Sequence, residues 1–125
     1  MAKAYVFKLG NITVSVSPAG AALQPWGNAK AFEYKVRVRS PEGATYSASA
    51  WGSINDYNQK HRNPRGIGAM VVEELMHAHN DPEEFLSMAS PSNRASFKRT
   101  ITSAKKFRFE DLDAAIQQAQ EEGLT

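Results

Sequence analysis

Residues 31–39 read AFEYKVRVR. Phe32, Tyr34, Val36 and Val38 alternate with Glu33, Lys35, Arg37 and Arg39. Successive side chains of a strand point to opposite faces, so this period of two predicts a strand with one apolar and one charged side. Ser40-Pro41-Glu42-Gly43 follows as a turn, with Pro and Gly in their favoured roles. Residues 44–51, ATYSASAW, read as the returning strand. Tyr46, Ala48 and Ala50 fall on the core side; Thr45, Ser47, Ser49 and Trp51 fall on the other.

Upstream, residues 12–17 (ITVSVS) alternate in the same way, and residues 3–9 (KAYVFKL) place Tyr5, Phe7 and Leu9 on one side. Gly10-Asn11 between them suits a two-residue hairpin turn. Residues 18–30 carry two Pro and two Gly and read as a loop. The front half therefore predicts an antiparallel sheet of three or four strands with one apolar and one polar face.

Downstream the period lengthens. Ser53 reads as the cap of a short helix over 53–60. Asn63-Pro64 reads as cap and first residue of a helix to about Asn80, with Ile67, Val71, Val72, Leu75, Ala78 and His79 along one arc. Asp81-Pro82-Glu83-Glu84 starts a second helix. A last helix runs over 111–122, its inner stripe made by Phe109, Leu112, Ala115, Ile116 and Ala119, and Gly123 ends it. Residues 92–108 fit either period; their Ser and Thr content lowers helix propensity and tips the reading towards extended structure. The expected fold is α+β, a single domain over 1–125 that is strand-rich in 1–51 and helix-rich in 53–125, with three or so helices covering one sheet face.

The composition suits a folded chain: 125 residues, 42% apolar and 22% charged. There is no cysteine, which excludes disulfides, thiolate metal sites and cysteine nucleophiles. No signal peptide or spanning segment is legible, so no membrane contact is expected and the expected location is the cytoplasm. In size, cysteine content and charge pattern the chain resembles small accessory proteins of phages and mobile elements; no motif carries the likeness and no residue role follows from it.

The net charge of +2 hides a segregated pattern. Residues 1–65 hold nine bases and three acids, and 66–90 hold five acids without Lys or Arg. Residues 91–109 hold six bases without an acid, and 110–125 hold five acids without a base. Such blocks serve either to attract phosphates on the basic side, to complement one another within the fold, or to meet a charged protein partner.

Three basic clusters are candidates for a polyanion. Lys35, Arg37 and Arg39 project from one side of a strand, with Thr and Ser expected on the flanking strands; cations neutralise a phosphate backbone and hydroxyls donate to it. Trp51 is the aromatic that alternation places on that side, and no RNP-like aromatic pair is present. Lys60, Arg62 and Arg65 precede or open a helix beside Gly66 and Gly68, where bared backbone donors and the helix dipole favour an anion. Neither a Walker loop nor a dinucleotide fingerprint is present. Lys98 and Arg99, with Lys105 and Lys106 beside Phe107-Arg108-Phe109, suit phosphate contact with stacking; the alternation of Phe107 and Phe109 about Arg108 favours a core strand for the two rings.

Other chemistry is thinly represented. Glu74 and His77 have the Glu-x-x-His spacing of carboxylate-bridged metal sites, but that chemistry needs two such motifs. There is no HExxH and no GxSxG. The reading is a non-enzymatic module that binds nucleic acid or another polyanion without a cofactor. One alternative is an adaptor or inhibitor that meets a basic protein through Glu73, Glu74, Glu83 and Glu84. The other is a small enzyme with a polar site around His61, Asp56, Tyr57 and Trp51. Pairing of sheet edges between two copies is expected to protect them, which favours a homodimer.

Overall fold

The computed structural model describes residues 4–23, 30–53 and 64–124. Four strands, β1 (Tyr5–Leu9), β2 (Ile12–Leu23), β3 (Lys30–Arg39) and β4 (Thr45–Ser53), form one antiparallel sheet in the order β1-β2-β3-β4. Four helices follow: α1 (Pro64–Asn80), α2 (Pro82–Ser87), α3 (Arg94–Ala104) and α4 (Phe109–Glu121). The fold is α+β, as the pattern of alternation followed by helical periodicity predicts.

Each strand buries its alternate residues. Phe7 and Leu9, Ile12, Val14 and Val16, and Val36 and Val38 are all buried on one face, and Tyr46 and Ala48 pack against them. The helices cover this face alone. α1 lies at the centre and touches all four strands and the other three helices. Ile67, Val71, Val72, Leu75 and Ala78 form its buried stripe. Leu9, Ile12, Leu75 and Leu112 are fully enclosed, so cutting any of them to Ala costs about 2–5 kcal/mol.

Two turns close the same end of the sheet. Leu9 pairs with Ile12 across Gly10-Asn11. Gly10 has φ +57°, and no described non-glycine residue has positive φ, the pattern of a II′ turn with Gly first. The Gly10 amide donates to Gln118 Oε1 of α4. Between β3 and β4, Ser40 organises the turn. Its amide donates to the Ala44 carbonyl (2.9 Å), its carbonyl accepts from Gly43 (3.1 Å), and its hydroxyl accepts from Ala44 N–H (3.0 Å).

Four expectations are corrected. First, β2 runs on through Leu23, so residues 18–23 are strand and not loop. The lower half of β3 supplies their partners: Gly20 pairs with Glu33, Ala21 with Phe32 and Leu23 with Lys30. A register shift between Pro18 and Gly20 absorbs the proline, which cannot donate to a ladder. Second, β4 extends to Ser53, which is therefore the end of a strand and not a helix cap; the rest of the expected 53–60 helix lies outside the described residues.

Third, residues 94–104 are helical. Phe97 and Ile101 pack against the core and Ala104 is buried, and the Phe97 ring lies 4.8 Å from that of Phe85. The hydroxyls that lowered the expectation turn back onto the helix: Thr100 donates to the Ser96 carbonyl and Thr102 to that of Lys98. α4 likewise begins at Phe109, whose ring stays 44% exposed instead of joining the inner stripe, while Phe107 is buried.

Candidate functional site

The uncovered face of the sheet is built by register. Ser17 and Ser49 flank Lys35; Ser15 and Ser47 flank Arg37; Thr13 and Thr45 flank Arg39. Each row thus has a cation on β3 and a hydroxyl on either side, about 4.8 Å away in strand spacing. Successive rows lie about 6.8 Å apart along β3. Lys35, Arg37, Arg39, Thr45, Ser47 and Ser49 are all exposed. β1 extends the rows, placing Val6 beside Ser15 and Lys8 beside Thr13.

Carboxylates are scarce on this face. Glu33 sits at its lower end and takes one bond from Lys35 Nζ (3.4 Å), which also donates to Ser49 Oγ (3.0 Å). Glu42, in the β3–β4 turn, is held by Arg108 at 3.1 Å. Arg37 and Arg39 have no ion pair with a described residue, so the centre of the face carries uncompensated positive charge.

An open groove of about 1000 Å³ continues from this face past the β4 edge to α3, and Arg99 lines it with Lys35 and Arg37. Its inner wall holds a polar cluster. The Tyr46 hydroxyl lies 2.9 Å from Thr100 Oγ1 and donates weakly to Glu74 Oε1 at 3.5 Å. Burial pushes the Tyr46 hydroxyl up to about 12 and raises the Glu74 carboxyl above its ordinary value.

The structure separates the remaining candidates from β3. Arg65 lies in the first turn of α1, on the covered side. Its guanidinium meets Glu122 through two bonds of 2.8 and 2.7 Å and lies 4.7 Å above the Phe7 ring. It ties α1 to the end of α4 and to β1. Gly66 and Gly68 are buried inside α1 and do not form a loop that bares donors. A Cβ at Gly68 would meet Phe7 Cζ and Val14 Cγ1 at 2.7 Å, so this glycine lets the helix close on the sheet. Lys98 is exposed on α3, and Lys105 and Lys106 are exposed in the turn after it.

Lys60, Arg62 and the polar cluster of Asp56, Tyr57 and His61 lie outside the described residues, as does the side chain of Trp51. Among the acidic candidates, Glu74 turns inward to Tyr46. Glu83 and Glu84 are exposed, and Glu84 lies 3.8 Å from His77 Nε2. Glu73 is half-buried. Among the described residues no group of three or more His, Asp or Glu could hold a metal ion, and no helix is long and apolar enough to cross a membrane.

The residue that sequence reading missed is Lys8. Alternation within β1 gives its outward side, since Tyr5, Phe7 and Leu9 point the other way. Only the two-residue hairpin register places it opposite Thr13 and in line with Arg39. Compared with models of known families and with curated proteins, the chain matches none.

Proposed function

We propose that the uncovered face of the sheet binds a nucleic-acid backbone or a polyanion of similar charge spacing. The observation that supports this is the row of Lys35, Arg37 and Arg39, each flanked in register by hydroxyls on β2 and β4. The cation spacing of about 6.8 Å is close to that of successive phosphates along an extended strand. Charge supplies the affinity and the short hydroxyls orient the phosphate oxygens. Cations and hydroxyls in register favour contact through phosphates, which positions a strand without reading its bases. The reading is of a binding module and assigns no catalytic step.

The test is a titration of the purified protein against labelled single- and double-stranded DNA and RNA over a range of salt, with light scattering in the same buffers to give the mass of the bound and free protein. If Lys8, Lys35, Arg37 and Arg39 neutralise one phosphate each, log affinity falls against log salt with a slope of roughly −3 to −4. Arg37→Ser lowers that slope by about one and weakens binding to all sequences alike. Failure of the folded protein to bind any of these ligands at low salt overturns the reading.

A further inference from the structure

The two turns at the upper end of the sheet stand side by side, because β1–β2 and β3–β4 both reverse there. Between them lies a concavity of about 520 Å³. Its floor is Thr13, with Lys8 on one side in register and Arg39 on the other. Its walls are Asn11 from the first turn and Pro41 and Gly43 from the second. Among the described residues no carboxylate lines it. Glu42, the acid of the second turn, is drawn off by Arg108. The Ser40 bonds hold the Pro41–Gly43 wall in place.

We infer that this concavity is a pocket for a phosphate monoester, and that its occupant is the phosphorylated end of a nucleic-acid strand laid along β3. This rests on the uncovered face being a polyanion surface. A strand following Lys35 and Arg37 towards Arg39 arrives between the two turns. At that point a second cation, Lys8, joins the row. A terminal phosphate carries up to two negative charges where an internal phosphodiester carries one, so the place where two cations flank one hydroxyl suits an end better than a continuing chain. Thr13 supplies a hydroxyl between the two cations.

The experiment compares one short internally labelled oligonucleotide in three forms: 5′-phosphorylated, 3′-phosphorylated, and hydroxyl-ended at both termini. The expected result is that one phosphorylated form binds about tenfold more tightly than the hydroxyl-ended form. Lys8→Ala, checked by its melting curve, abolishes the preference; because Lys8 also meets the strand, hydroxyl-ended binding weakens as well, and the readout is the ratio of the two affinities. Arg39→Gln serves as a second variant and abolishes the preference too. Inorganic phosphate competes away the preference alone.

Equal affinity for all three forms overturns the pocket and leaves the phosphate-binding face standing. A preference that survives Lys8→Ala places the strand end elsewhere and likewise overturns it. If no oligonucleotide binds but inorganic phosphate or a nucleoside monophosphate raises the melting temperature in a Lys8-dependent way, the source is a small monoester. The strand end and the polyanion face then fall together, and the pocket remains.

Discussion

Glu74 is a carboxylate that the helix turns towards the sheet, where the Tyr46 hydroxyl is its hydrogen-bond donor. Burial raises its pKa in the folded state. A raised carboxyl pKa means that the folded protein holds the proton more tightly than the unfolded chain. The associated stability is fully present below the ordinary carboxylate range and is lost as pH rises through the folded value. Glu74→Gln removes that loss while keeping an acceptor for Tyr46. Its melting temperature relative to the parent is therefore expected to be higher at about pH 7 than at about pH 4, and a difference independent of pH would refute the assignment. Tyr46→Phe leaves the buried carboxylate without its donor and is expected to cost about 1–3 kcal/mol, read by denaturant unfolding at neutral pH.

At the scale of elements, α1 can lie against the sheet because position 68 has no side chain. Alanine is the better helix former by about 1 kcal/mol, so Gly68→Ala tests which term wins. The new methyl would stand 2.7 Å from Phe7 and Val14, both packed within the core, and overpacking of this kind costs about 1–3 kcal/mol. A lower melting temperature is expected; a higher one would show that the core yields. The same positions explain what could be read from the chain. The strands over 31–39 and 44–51 and the helix from Pro64 are legible because one local period governs each. Residues 18–23 are not, because Pro18 and Gly20 signal a loop and only pairing with the far half of β3 makes them strand. The helix over 94–104 is hidden by Ser and Thr, and it forms because Phe97 and Ile101 find α1 and Phe85. The cations of β3 were visible for the same reason as their strand. The pocket at the two turns was not, since it needs residues 8, 13 and 39 placed in register.

Across the whole molecule, charge is sorted by element. β3 carries Lys35, Arg37 and Arg39 on the uncovered side, α3 carries Arg94, Lys98 and Arg99 in the covering layer, and the acids of α1, α2 and α4 lie in that layer too. Arg37 stands between Lys35 and Arg39 with no compensating acid among the described residues. Such neighbours repel, and repulsion across exposed surface is screened by salt. Arg37→Ser is therefore expected to stabilise the free protein by a few tenths of a kcal/mol at low salt, with the gain fading at high salt. The variant that weakens phosphate binding should thus melt later, the exchange of stability for function that marks a binding surface. A variant that melts earlier at low salt would show that the three cations are not in conflict.

The sheet is a meander, each strand bonded to the one before it, and every helix among the described residues comes later in the chain. A ribosome therefore delivers all four strands before any of their cover. Until α1 is present, the face made by Leu9, Ile12, Val14, Val16, Val36 and Val38 lacks its cover. The Gly10–Gln118 bond spans 108 residues, so it forms only after α4 has been made. The sheet is thus one half of a sandwich whose other half is supplied from later in the sequence, so a chain cut before α1 would leave its apolar face to water.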